Sequence, residues 1–288
     1  MEDQARESKF ELSVLGAVWM VVFYSFIVGV IMGLLWIPFS LIIDTIYSKY
    51  SFENIQNIKA VMNLLGESIL DFIIIVLIIK KAKKMSENSF RIKYMGKLNY
   101  KLLLSVICLM IGYYFWYHSS IGVITDKIPL PEWLKEAEME MELHPYSTFF
   151  SMGIVAPIFE EFLMRGVILA GLLNRYNPKK AIIISALIFG IWHFNIVQSV
   201  NATLIGLLLG IIYYKSNSLI LCIALHMTNN IFAGIMGEAK EYMGYSPTII
   251  SFLVGVIIFI GSAMMFFRYL RESDEKLKLN KLCEKGEV

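Results

Sequence analysis

Charged residues are scarce in this chain. Only 17% of its 288 residues are Asp, Glu, Lys or Arg, whereas 57% are hydrophobic. An ordinary soluble domain carries about 25% charged residues. The net charge of +2 is too small for a nucleic-acid-binding surface, and the basic residues cluster at the ends of apolar runs. The composition therefore favours an integral membrane protein and indicates no nucleic-acid partner.

Cysteine is also scarce. Cys108, Cys222 and Cys283 show no CxxC or metal-ligand spacing, so a disulfide framework is not expected. Cys283 is six residues from the end of the sequence, whereas a prenylation box requires a cysteine four residues from the end. We therefore do not expect the chain itself to be prenylated.

Long apolar runs are what the sequence has in abundance. A membrane-spanning helix needs about 20 apolar residues, and eight runs approach that length: 13–36, 58–79, 102–117, 147–173, 181–197, 199–214, 218–236 and 248–268. The first is too long for a signal peptide, which predicts a retained anchor. The predicted fold is all-α, a polytopic integral membrane protein with about eight transmembrane helices. We expect a polar segment at 1–12, one membrane domain at 13–270 with a motif-bearing core at about 147–236, and a tail at 271–288.

Lysine and arginine in the short loops predict the orientation. The linker after the second run is strongly basic, and so are the 271–288 tail and the loop that contains Arg175, Lys179 and Lys180. This pattern predicts cytoplasmic N- and C-termini, in the plasma membrane. The acidic loop at 118–146 should lie on the opposite side, where Trp133 to Met141 is either an interfacial helix or a solvated loop.

Charged residues inside an apolar run need an explanation, because each costs about 2.5–3.5 kcal/mol at mid-bilayer. The fourth run contains Glu160, Glu161 and Arg165. Glu161 and Arg165 are four residues apart and share a helix face, which predicts a structural charge pair. Glu160 is rotated by about 100° from Glu161 and should face other helices, where a buried carboxylate suits general-base chemistry. A salt bridge or an ion pathway is the alternative.

Two further runs carry polar side chains. His193 ends the stretch that begins at Phe189, and His226 and Asn230 are four residues apart. An imidazole and a carboxamide on one helix face are able to donate together to a developing oxyanion, as acyl-transfer chemistry requires. Each residue alone is more typical of hydrogen bonding between helices.

Glu67 and Asp71 are also four residues apart, on the second run. They either line a water path, or one or both lie near the helix end or are protonated.

Taken together, the motifs resemble those of the CAAX prenyl protease and bacteriocin-processing (CPBP, or Abi) family of intramembrane endopeptidases. Its Glu-Glu-x-x-x-Arg, Phe-x-x-x-His and His-x-x-x-Asn motifs correspond to Glu160–Arg165, Phe189–His193 and His226–Asn230. The resemblance runs from about Ser147 to Met236. It implies that Glu160 and His193 activate a water, that His226 and Asn230 stabilise the oxyanion, and that Glu161 and Arg165 support the site.

A zinc site is the main chemical alternative. Glu160 or Glu161 could bind zinc together with His193 and His226, with one position left open for water. The sequence contains no His-Glu-x-x-His motif, and asparagine is a poor zinc ligand. We therefore favour a metal-free glutamic mechanism with no cofactor.

Two rival classes of protein also retain polar residues in the membrane. A transporter or proton channel more often shows inverted repeats, and none is evident here. A non-catalytic immunity or scaffold protein would not need every motif residue, yet all are present. The favoured function is hydrolysis of a peptide bond in a membrane-associated peptide or protein, such as a pheromone, a bacteriocin precursor or a lipidated C-terminus.

Overall fold

The computed structural model describes residues 10–49, 55–87, 90–244 and 246–284. These residues form helices joined by short loops, and no strand occurs among them. The prediction of an all-α polytopic membrane protein is thereby confirmed.

The helices are numbered α1 to α10 along the described part of the chain. Two of them contain π-helical segments, in which the backbone hydrogen bonds join residues five apart instead of four. Helix α1 joins Val14–Val21, the π segment Val22–Val28 and Gly29–Lys49. It is followed by α2 (Ile55–Met85), α3 (Tyr100–His118), α4 (Ile121–Thr125) and α5 (Glu132–Leu143). Helix α6 joins Pro145–Phe150, the π segment Ser151–Val155, Ala156–Glu161, the π segment Phe162–Leu169 and Ala170–Arg175. The last helices are α7 (Pro178–Ile191), α8 (Ile196–Ser216), α9 (Leu219–Met243) and α10 (Ile249–Glu284).

Five helical stretches in the described part of the chain are long and apolar enough to cross a bilayer: Val14–Ile42, Tyr100–His118, Ile196–Ser216, Leu219–Gly237 and Ile249–Lys276. The other three predicted spans fall on α2, α6 and α7, and the count of eight stays a prediction. The stretch from Trp133 to Met141 lies within α5 and is therefore helical. Of its two interpretations, the interfacial helix required this.

One predicted boundary is wrong. The helix expected at 181–197 corresponds to α7, which already ends at Ile191. The helix expected at 199–214 corresponds to α8, which begins at Ile196. The chain turns between them because Phe194 has a left-handed backbone conformation (φ 55°) and the Asn195 side chain caps the first turn of α8. His193 therefore lies in a turn rather than on a helix.

The chain divides into two compact units. The first consists of Met1–Ile92 and Pro131–Ile188, and the second of Lys93–Leu130 and Phe189–Val288. Glu160, Glu161 and Arg165 belong to the first unit, and the two histidines and Asn230 belong to the second.

In the first unit, the segment before α1 is held against the end of α6. The Leu12 amide donates to the Gly171 carbonyl oxygen at 3.0 Å, and the Asn174 side chain donates to the Phe10 carbonyl oxygen at 2.8 Å. Gly171 permits this approach, because an added Cβ would lie 2.7 Å from the Leu12 side chain. Helix α2 packs against both α1 and the second π segment of α6.

In the second unit, α3 packs along α10 and also contacts α9, which contacts α8. Gly112 and Gly255 allow α3 and α10 to approach closely, since a Cβ at Gly255 would lie 2.5 Å from the Trp116 amide nitrogen. The segment at residues 93–97 donates and accepts backbone hydrogen bonds with residues 216–220, which holds the start of α9.

Candidate active site

The acidic part of the candidate site lies on α6, in the first unit. Glu160 and Glu161 end the α-helical segment Ala156–Glu161, and a π-helical segment lies on each side of it. Pro157 provides a cause for the first of these, because proline has no amide hydrogen to continue the i to i−4 ladder. π-Helical turns inside α-helices frequently occur at functional sites.

Glu161 and Arg165 form the predicted charge pair. The Arg165 guanidinium nitrogen Nη1 lies 2.6 Å from Glu161 Oε1, and neither side chain is exposed. A charge pair this deeply buried must be well aligned, because the attraction between the charges has to offset the loss of both hydration shells. Glu161 thus forms an ion pair with Arg165. The neighbouring Glu160 is half-buried.

The histidine part of the candidate site lies in the second unit. The His193 ring nitrogen Nδ1 is 2.9 Å from the Phe189 carbonyl oxygen. A carbonyl oxygen only accepts hydrogen bonds, so Nδ1 is the donor in this contact, and in a neutral imidazole the lone pair is then on Nε2. In that tautomer, Nε2 is the ring atom that is able to accept a hydrogen bond from water.

Phe189 contacts both histidines. Its ring centroid is 5.1 Å from that of His193 and 5.7 Å from that of His226, and both imidazoles stand nearly perpendicular to it. These edge-to-face contacts are worth roughly 0.5–1.5 kcal/mol each. Phe189 is buried and so orients the two imidazoles together.

His226 and Asn230 lie four residues apart on α9. His226 is 5% exposed and Asn230 is half-buried. Residues at this spacing share one face of a helix, which is the arrangement that the sequence predicts for two oxyanion donors. Asn229 precedes Asn230 and donates from Nδ2 to the Asn230 oxygen Oδ1 at 2.9 Å.

The turn that carries His193 is held by Asn195. The Asn195 oxygen Oδ1 accepts from the Gln198 amide at 2.8 Å, and its Nδ2 donates to the His193 carbonyl oxygen at 3.0 Å. Nδ2 also lies 2.8 Å from Gln198 Oε1. Asn195 was not among the predicted site residues, although the spacing Asn195-x-x-Gln198 is that of a capping box and signals a helix start.

Gly190 lets α7 approach α8 beside this turn. A Cβ at Gly190 would meet the Thr203 side chain and would lie 2.8 Å from the Ser199 carbonyl oxygen. A glycine at this position therefore helps to place His193 in the turn.

Within each unit, the described residues include no group of three or more His, Cys, Asp or Glu side chains placed to hold a metal ion. The residues predicted as alternative zinc ligands are divided between the units, with Glu160 and Glu161 in the first and His193 and His226 in the second. The metal-free mechanism stays a prediction.

The second acidic pair of the sequence analysis lies on α2. Asp71 is half-buried there, and the Glu67 side chain is outside the described part of the structure. A water path along this helix stays a prediction.

Comparison with known proteins supports the resemblance that the motifs indicate. Residues 142–232 match the family model described as Type II CAAX prenyl endopeptidase Rce1-like. The protein YdiL of Bacillus subtilis (strain 168), provisionally named a membrane peptidase, is 29% identical over 105 residues. This match covers 36% of the present chain and spans 43% of the relative's length. No solved structure matches the chain significantly. All six predicted site residues lie within residues 142–232, so the part of the chain that is similar to the Rce1-like CAAX prenyl endopeptidases contains the whole predicted site.

Proposed function

We propose that the chain is an intramembrane endopeptidase that hydrolyses a peptide bond in a membrane-associated peptide or protein. The observation that carries the proposal is the hydrogen bond from His193 Nδ1 to the Phe189 carbonyl oxygen, which in a neutral ring leaves Nε2 as the acceptor. The order of the three motifs and the family match at residues 142–232 support it.

Glu160, His193, His226 and Asn230 are assigned the chemical steps. Glu160 accepts a proton from a water, which His193 Nε2 orients by accepting its other hydrogen. The water oxygen attacks the peptide carbonyl carbon, and the oxyanion accepts hydrogen bonds from His226 and Asn230. The carbon–nitrogen bond then breaks, and Glu160 returns the proton to the leaving amine.

The proton transfer is assigned to Glu160 because the motif resemblance implies that role for it. Glu161 lies against Arg165 at 2.6 Å, which suits a supporting role. Glu161 and Arg165 act as supporting residues. The mechanism requires no metal ion and no cofactor.

The test is cleavage by the purified protein in detergent micelles. Three fluorescence-quenched peptides serve as substrates: one ends in a farnesylated CAAX sequence, one has the same sequence without the lipid, and one spans a bilayer. Wild type is compared with Glu160→Gln and with Glu136→Gln, which makes the same change at an exposed position on α5.

Wild type and Glu136→Gln should cleave at equal rates, and Glu160→Gln should lose at least about 100-fold in kcat. Chelation of metals should leave the wild-type rate unchanged. A rate that falls on chelation, together with stoichiometric metal in the sample, would show the zinc mechanism instead. No cleavage of any of the three peptides by wild type would contradict the peptidase and favour the scaffold alternative.

We also propose that the protein lies in the plasma membrane with both termini cytoplasmic. The end of α2 supports this orientation, since Lys80, Lys81, Lys83 and Lys84 are all exposed. In a cysteine-free background, a membrane-impermeant maleimide applied to intact cells should label Glu136→Cys but not Lys84→Cys. Labelling of Lys84→Cys alone would reverse the orientation.

A further inference from the structure

Asn229 is a polar residue of α9 to which the mechanism gives no role. It lies next to Asn230, and both side chains are half-buried. The Asn229 nitrogen Nδ2 donates a hydrogen bond to the Asn230 oxygen Oδ1 at 2.9 Å. The hydrogen bond thus engages the oxygen end of the Asn230 carboxamide.

The orientation of this carboxamide matters for the proposed chemistry. Only its NH2 end is able to donate to an oxyanion, whereas its oxygen would repel the developing negative charge. The terminal torsion of asparagine is broad and nearly two-fold, so its own energy does not distinguish the two orientations. A neighbouring group has to make the choice.

The hydrogen bond from Asn229 favours one of the two orientations. While its NH2 group donates to Oδ1 of Asn230, the NH2 end of Asn230 points away from Asn229. Rotating the Asn230 carboxamide by 180° would bring two NH2 groups together and would break the hydrogen bond. The adjacent Thr228 hydroxyl does not provide the same contact, because its proton is donated to the Ala224 carbonyl oxygen at 2.7 Å.

We propose that Asn229 is a positioning residue, which acts through Asn230 by keeping the NH2 end of that carboxamide directed at the oxyanion. This inference rests on the proposed function, in which Asn230 is an oxyanion donor. It predicts an effect on kcat and little effect on KM, because the oxyanion forms only after substrate has bound.

Two substitutions distinguish positioning from packing. Asn229→Asp keeps the shape of the side chain but replaces its donor with an acceptor, which should attract the NH2 end of Asn230 and rotate its carboxamide. Asn229→Leu removes the donor and keeps a similar volume. We expect kcat to fall about 100-fold in Asn229→Asp, as on loss of one oxyanion donor, and about five- to tenfold in Asn229→Leu.

A role in packing alone would give the opposite order, because aspartate is nearly isosteric with asparagine. Asn177→Asp is the matched control, since it introduces the same charge at an exposed position and should leave kcat unchanged. Circular dichroism and the unfolding temperature of each variant identify any loss of fold, and Asn229→Leu remains informative if Asn229→Asp fails to accumulate.

The closing experiment is a double-mutant cycle. It measures kcat for wild type, Asn230→Ala, Asn229→Asp and the double variant, with the peptide of the three that wild type cleaves fastest. Asn230→Ala should lose about 100-fold, and Asn229→Asp should have no further effect in that background.

The outcomes separate the inference from the proposed function. A low kcat in Asn230→Ala combined with a wild-type kcat in Asn229→Asp would overturn the positioning role alone. Independent, multiplying effects of the two substitutions would overturn it as well. A wild-type kcat in Asn230→Ala would instead remove the oxyanion role of Asn230, on which both the proposed function and this inference depend.

Discussion

Replacing Arg165 with methionine would remove the guanidinium that lies 2.6 Å from Glu161, at a position where neither side chain is exposed. Removing one partner of a buried ion pair costs about 3–5 kcal/mol, because the remaining charge stays in a poorly solvating environment. We therefore expect Arg165→Met to be destabilised by about 3–5 kcal/mol, even though methionine fills much of the same volume.

The chain offers a matched control on α5. Lys135 Nζ lies 2.7 Å from Glu132 Oε1, nearly the same distance as in the buried pair, but these side chains are 47% and 81% exposed. Exposed pairs contribute about 0–1 kcal/mol. Lys135→Met should therefore change the free energy of unfolding by about 1 kcal/mol or less.

The assay is reversible unfolding in mixed detergent and SDS micelles, followed by circular dichroism. The double variant Glu161→Leu with Arg165→Met should recover most of the lost stability, because it removes the buried Glu161 carboxylate that Arg165→Met leaves without its guanidinium. The reasoning would be refuted if Arg165→Met were as stable as Lys135→Met, or if the double variant were less stable than Arg165→Met.

Three further predictions concern the histidine part of the site. Gly190→Ala should destabilise the fold by about 1–3 kcal/mol because the new Cβ has no space. Gly234→Ala should be neutral or stabilising in thermal unfolding, because among the described residues no atom beyond its own stretch of helix lies within 4 Å of the Cβ position. Asn195→Ala and Asn99→Ala each remove a helix cap and should each lower the free energy of unfolding by about 1 kcal/mol. Only Asn195→Ala should lower kcat, since it also releases the turn that carries His193. An equal kcat in the two variants would contradict this. Phe189→Leu should lower kcat about tenfold with little change in KM, because both imidazoles lose their perpendicular ring contact, and an unchanged kcat would show that the ring does not position them.

Much of the candidate site could be predicted from residue spacing alone. The Glu161–Arg165 pair is an example, because a separation of four residues places two side chains on one face of almost any helix. The same separation of four residues predicts that His226 and Asn230 share one face of α9. Local geometry of this kind depends on the helical repeat and needs no knowledge of the packing.

The position of His193 could not be predicted in the same way. The residues from Ile191 to Phe194 are almost all apolar, so hydropathy continues across the turn and gives no sign that α7 has ended. The turn follows from the left-handed conformation of Phe194 and the cap formed by Asn195. The only local sign of a helix start is the capping-box spacing of Asn195 and Gln198. Hydropathy averaged over a window of residues does not detect it.

The sequence by itself determined that this is an all-α membrane protein, because apolar runs of sufficient length have few other stable environments. It also determined which polar residues are candidates for chemistry, since each charge or imidazole in such a run is costly. The tertiary structure alone decided that Phe189 contacts His226, 37 residues further along the chain, as well as His193. That contact joins two side chains of the second unit that are distant in sequence and close only in the folded chain, so no local pattern predicts it.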